Sequence, residues 1–228
     1  MPRRAFLAIA CLAWLLATVG FAEAGSPTDA LRATFTQANT IISDPATEDR
    51  PRERLTAVRA LFGKVFDFRG AAERVLGSQW QARTTVEQRE FTSIFTGFVQ
   101  HGFVYWLASV AAIDASRGGI TVYYLGESVH RDRAAVRTAI LGRGGRQIRL
   151  DHEMIYKGSR WMVRDVTIDG ISLLTNYRAQ FDRVIRASSY RELLTRMKER
   201  VAGERARPAA VRPEPLGLEI KPLHIEAR

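Results

Sequence analysis

Cysteine is all but absent from this chain of 228 residues: the single one, Cys11, lies in an apolar run near the N-terminus. With no cysteine beyond that run there is no disulfide framework and no thiol chemistry, so packing must hold the fold together. Histidine is scarce too. His101, His130, His152 and His224 are scattered, with neither a cysteine partner nor an H-E-x-x-H spacing, so neither a metal site nor a cofactor is expected. No P-loop and no G-x-S-x-G occurs, and Gly142-x-Gly144-Gly145 falls between two predicted strands, where it reads as a hairpin turn rather than a phosphate cradle. No second apolar run approaches membrane length. Lysine is limited to Lys64, Lys157, Lys198 and Lys221, and there is no Lys/Arg block of the kind that marks a nucleic-acid tail.

What is present begins with an export signal. Arg3 and Arg4 form a positive start, Ala5 to Gly20 an apolar stretch and Ala22-Glu23-Ala24 a small-x-small cleavage site, so residues 1–24 read as a secretory signal peptide. The competing reading is a retained N-terminal anchor, since Ala5 to Ala22 is nearly long enough to span a bilayer. Removing the signal leaves 204 residues, enough for one domain with a real core, and implies a location in the periplasm or outside the cell. Taking Arg3, Arg4 and Glu23 from the 34 basic and 24 acidic side chains leaves 32 against 23, a net charge of +9. Such a balance favours anionic partners, nucleic acid or phosphate-bearing lipid surfaces, against the blander account of a diffusely charged surface.

Helical spacing dominates the first half. Ser26-Pro27 opens a helix to about Ser43, Pro51 starts a second, a shorter one spans Arg69 to Leu76, and Thr84-Thr85 with Glu87-Gln88 cap the longest, about Val86 to Ala112. That long helix is apolar nearly all round, with Phe91, Phe95 and Phe98 on one side and Val99, Phe103 and Trp106 on others, so it must be covered on more than one face. Its Gly97 and Gly102 imply either close helix packing or space left for a ligand.

From Gly118 the period changes to two. Four strands follow, joined by turns at His130-Arg131-Asp132, Gly142 to Gly145 and Lys157-Gly158-Ser159, which predicts an antiparallel four-stranded meander. Helices over Ile171 to Arg186 and Tyr190 to Val201 close the domain, assigned to residues 25–202, and the Pro-rich stretch 203–228 reads as a disordered tail. Asp151, His152, Glu153, Asp165 and Asp169 form the one cluster able to host acid and base chemistry. Acidic residues at alternating strand positions more commonly mark a solvated face. Basic residues interleaved with aromatics could suggest nucleic acid, but the aromatics fall on predicted core faces, and no nucleic-acid partner is expected.

The stretch 161–181, WMVRDVTIDGISLLTNYRAQF, resembles the W-x-V-x-D-V-x-I-x-G-[IV]-S-L-x-x-N-Y-R-x-Q-F block of MlaC-type periplasmic lipid-binding proteins. FDFRGAAERVLGSQW and TTVEQREF upstream, and SSYRELLTRMKER downstream, are similar to further segments of that family in the same order. Arg164 stands where the family's block leads us to expect an aromatic. The resemblance implies an α+β fold of the nuclear-transport-factor-like, MlaC type, with the meander and several helices around an apolar cavity. It implies a non-enzymatic periplasmic carrier of phospholipid, or of a hopanoid-type lipid. The implied partners are an inner-membrane MCE protein with its ABC transporter and an outer-membrane lipoprotein and porin complex.

On that reading the acyl tails would meet Phe95, Phe98, Tyr105 and Trp106 of the long helix and Val136, Ile140, Leu150 and Met154 of the sheet. Trp161 and Val163 of the last strand, and Ile171, Leu174, Tyr177 and Phe181 of the helix after Gly170, would complete the wall. Asn176 and Arg178 either pin that helix or lie near the mouth. The rival readings are an enzyme of a related fold using Asp165 or Asp169 as base, and an envelope scaffold whose apolar content is solely core.

Overall fold

The computed structural model describes residues 25–110, 113–114 and 119–206. The predicted signal peptide and the tail beyond residue 206 lie outside the described residues. Helices α1 (Pro27–Ile42), α2 (Pro51–Val65), α3 (Phe68–Leu76), α4 (Ser78–Gln81) and α5 (Thr85–Val110) precede the sheet, and α6 (Leu173–Ala187) and α7 (Tyr190–Ala206) follow it. Their starts obey local chemistry. Ser26 accepts from the Asp29 amide with Pro27 in the first turn. Thr84 and Glu87 cap α5 reciprocally: the Thr84 amide donates to Glu87 Oε2 at 2.8 Å and the Glu87 amide to Thr84 Oγ1 at 3.2 Å. At its other end the chain departs from expectation, because α7 runs past Val201 to Ala206, into residues assigned above to the tail. Glu204, Arg205 and Ala206 are strong helix formers, and a lone Gly203 does not stop them.

The strands are β1 (Ile113–Asp114), β2 (Gly119–Ile120), β3 (Val122–His130), β4 (Arg133–Leu141), β5 (Gln147–Lys157), β6 (Arg160–Ile168) and β7 (Ile171–Ser172). β1 and β2 form a small ladder, and β3 to β7 an antiparallel sheet in sequence order. The sheet therefore has five strands rather than four. The predicted first strand breaks at Thr121 into β2 and β3, and Ile171, assigned to a helix, instead pairs with Ile168. Two residues are too few to leave a period in the sequence.

Register puts Val136, Ile140, Leu150, Met154 and Val163 on one buried face. Helices α1, α2 and α6 lie against the sheet, while α5 packs chiefly on α2, α3 and α7. Gly97 of α5 faces Val201 of α7, and a notional Cβ would stand 3.8 Å from the nearer methyl, an ordinary contact distance that leaves room for alanine. A short segment joins the layers: Phe66 forms a parallel bridge with Val163, the Asp67 amide donates to Val163 O at 2.8 Å, and the Asp67 carboxylate caps α3 at the Gly70 amide. Among the described residues no helix is long and apolar enough to cross a membrane.

Candidate functional site

The inner sheet face offers an apolar floor. Ile140 and Val136 of β4 sit beside Ile148, Leu150 and Met154 of β5, and Val166 and Val163 of β6 continue it. All are buried. Over this floor α1 contributes Leu31 and Phe35, and α2 contributes Phe62, whose ring stacks on Phe103 of α5 at 5.0 Å. Phe103 in turn lies 5.7 Å from Trp106, and Phe62 reaches Phe66 and Phe68 at 5.2 and 5.8 Å. Phe62, Phe103 and Trp106 are half-buried, so this connected run of rings reaches the part-exposed surface, while Phe35, also half-buried, meets the sheet at His152. Of the expected wall residues, this region collects Val136, Ile140, Leu150, Met154, Val163 and Trp106.

Others fall elsewhere. Phe95, Phe98, Tyr177 and Phe181 build a separate ring cluster between α5 and α6, with centroids 5.4 to 6.2 Å apart. Leu174 is buried at the start of α6, Ile171 is half-buried in β7, and Trp161 packs against Tyr156 at 5.3 Å near the β5–β6 turn. Tyr105 belongs to α5, but its side chain is outside the described residues. Arg178 lays its guanidinium against Gly77: a Cβ there would come within 2.6 Å of Nη2. Asn176 accepts from Gln180 at 3.2 Å within α6.

One polar pair interrupts the floor. Thr138 and His152 are buried side by side, with Oγ1 and Nε2 3.1 Å apart and Phe35 edge-on to the imidazole. Because the Thr138 hydroxyl donates to Leu150 O, it accepts from Nε2–H, which leaves Nδ1 with the ring's lone pair. Burial lowers the His152 pKa to about 4, so the ring stays neutral. The sequence placed His152 in an acidic cluster; strand alternation turns it inward, away from Asp151 and Glu153. Phe35, Phe62 and Phe103 lie on helices at apolar spacing, which by itself marks a core position and nothing more.

The carboxylates proposed as bases are committed to the fold. Asp165 is buried and accepts from the Val166 amide at 2.8 Å, Ser172 Oγ at 2.6 Å and the Leu174 amide at 3.2 Å. It thereby clasps β6, β7 and the first turn of α6. Asp169, at the Gly170 turn with φ of 45°, accepts from the Arg149 amide at 3.0 Å and pairs with Arg146. Among the described residues no three His, Cys, Asp or Glu side chains gather to hold a metal.

With the geometry in place, comparison with known proteins is decisive at one point. The MlaC protein family model matches residues 32–199. The chain belongs to the MlaC family. A solved structure from Ralstonia solanacearum, a phospholipid-binding protein in complex with a phospholipid, shares this fold with a TM-score of 0.66 at 20% identity. The alignment covers 79% of this chain and 99% of that one. No curated protein gives a significant match.

MlaC membership gives a physical sense to the segments quoted above. Phe66 and Asp67 tie α2 and α3 to β6, and Gly70 leaves room for the cap, since a Cβ would lie 2.4 Å from Asp67 Oδ2. Gln88 Nε2 donates to Trp80 O at 3.0 Å, joining α4 to α5. Gly170, with φ of 91°, turns β6 into β7, and Asp165 receives Ser172 across that turn. At the position before Asp165, Arg164 lies half-buried within 4.0 Å of Glu153, which also pairs with Arg74 at 2.9 Å.

Proposed function

We propose that this MlaC-family protein is a periplasmic carrier that encloses the acyl tails of a phospholipid, or of a related lipid such as a hopanoid, between its sheet and its helices. One observation carries the reading: the half-buried rings of Trp106, Phe103 and Phe62 run in contact to Phe66, which bridges Val163 on the apolar floor of β4, β5 and β6. The complex of the Ralstonia protein with a phospholipid supports it. Each buried methylene is worth about 0.8 kcal/mol, so exposing one long chain to water costs on the order of 10 kcal/mol. A carrier must therefore cover tails almost fully and release them only when a partner opens it. By family, the partners are the MCE protein with its ABC transporter and the outer-membrane lipoprotein and porin complex.

The anchored geometry of Asp165 and Asp169 supports carriage over catalysis, since both carboxylates spend their acceptor positions on backbone, hydroxyl or guanidinium groups. Native mass spectrometry of protein gently released from the periplasm tests the proposal. The expected result is a stoichiometric lipid adduct, identified after extraction. Lipid-free protein that also fails to take up lipid from micelles overturns it.

A further inference from the structure

Four large hydrophobic side chains are exposed among the described residues, and three of them, Tyr123 (41%), Leu125 (51%) and Val129 (52%), lie on β3. β3 is the edge strand of the sheet, nine residues long. Edge strands are ordinarily blunted by charge, proline or brevity, and this one carries Glu127 as its single carboxylate, bonded to Thr28 of α1. On the outer face register sets Tyr123, Ala139 and Arg149 in one row, and in the next the bulge between Tyr124 and Gly126 brings Leu125 beside Arg137. Arg133 continues the face toward the hairpin tip, where Arg131 sits in the turn, and all four arginines are exposed. Their carboxylate neighbours are Asp132 at the tip, Asp151 opposite Arg137, Glu153 opposite Ala135 and already paired with Arg74, and Asp169, which accepts from the Arg149 amide and pairs with Arg146.

We infer that the outer face of β3 and β4 docks on the surface of an anionic lipid bilayer. Guanidiniums interleaved with an exposed Tyr and Leu match the two halves of that partner: phosphates take the arginines, and the shallow interfacial layer takes the ring and the aliphatic chain. A protein strand added to β3 would read its backbone and gain nothing from arginines that project from the face. The inference uses only the outer surface and does not depend on which cargo lies inside.

The test is co-sedimentation of the exported protein, purified from its own cells, with phosphatidylglycerol/phosphatidylcholine vesicles and with pure phosphatidylcholine vesicles. Binding to the anionic vesicles is expected, with loss on the neutral ones and in high salt. Arg137→Glu with Arg149→Glu should lower the partition coefficient about thirtyfold or more, and Leu125→Ser about tenfold. Arg137→Gln with Arg149→Gln, a milder pair, guards against misfolding, with circular dichroism unchanged and lipid cargo retained in native mass spectrometry. Binding by the variants equal to that of the parent overturns the inference. So does a parent that fails to sediment with the anionic vesicles. Neither result touches the carrier proposal, which stands or falls on the bound lipid.

Discussion

A neutral imidazole inside the sheet makes stability depend on pH in a definite direction. In the unfolded chain His152 titrates near 6.5, and in the fold burial lowers its pKa to about 4. Below 6.5 the unfolded state therefore binds the extra proton, so stability that is fully present above pH 6.5 is lost as pH falls toward 4, by about 3 kcal/mol in all. Urea titrations at pH 7 and 4.5 should show that loss, and His152→Gln should remove most of the pH dependence. Asp165 answers a different question. Replacing it with Asn keeps one acceptor but weakens the clasp on Ser172 and Leu174, which should cost about 2 kcal/mol without loss of bound lipid. A turnover that vanished in this variant, with cargo unchanged, would restore the enzyme reading. Tyr177 is buried with no hydrogen-bond partner for its hydroxyl among the described residues, and burial pushes its pKa up, so Tyr177→Phe should leave stability unchanged or slightly raised.

At the scale of elements, two glycines make opposite predictions. Gly97 lies in an α-helix with ordinary contact distance to Val201, so Gly97→Ala should stabilise by about 0.5 to 1 kcal/mol and raise the melting temperature. Gly77 ends α3 with φ of 53° and the Arg178 guanidinium against it, so Gly77→Ala should destabilise and loosen α6. Thermal unfolding of the two variants checks both. Helix starts and hairpin turns were legible because caps and turns are local chemistry: Ser26, Thr84 and Ser189 cap as their types require. The five-strand count was not legible, since β7 exists through the Asp165 clasp rather than through any pattern in Ile171 and Ser172. Nor could spacing separate the two aromatic clusters of α5, because Phe98 and Phe103 differ only in what the other helices bring to them. The residues that carry the family resemblance, among them Asp67, Gly77, Trp80 and Asp165, chiefly build the frame. The apolar floor is ordinary Val, Ile and Leu at period two, which any half-buried strand would show.

At the scale of the molecule, filling the floor is the sharpest internal test. Val136→Phe combined with Ile140→Phe adds bulk where tails are proposed to lie, and should reduce bound lipid several-fold while costing about 1 to 3 kcal/mol through overpacking. Lipid content measured by native mass spectrometry, read beside a denaturant curve, separates the two effects. The sheet's margins carry a last consequence. On the far side β6 is occupied by the two-residue β7 and by Phe66 at Val163, whereas β3 is long and open. Among the described residues β3 is the long margin without a partner strand, so a second copy paired there would use the same margin on each copy. Self-association along this route would end at a pair, because the joint consumes β3 of each copy.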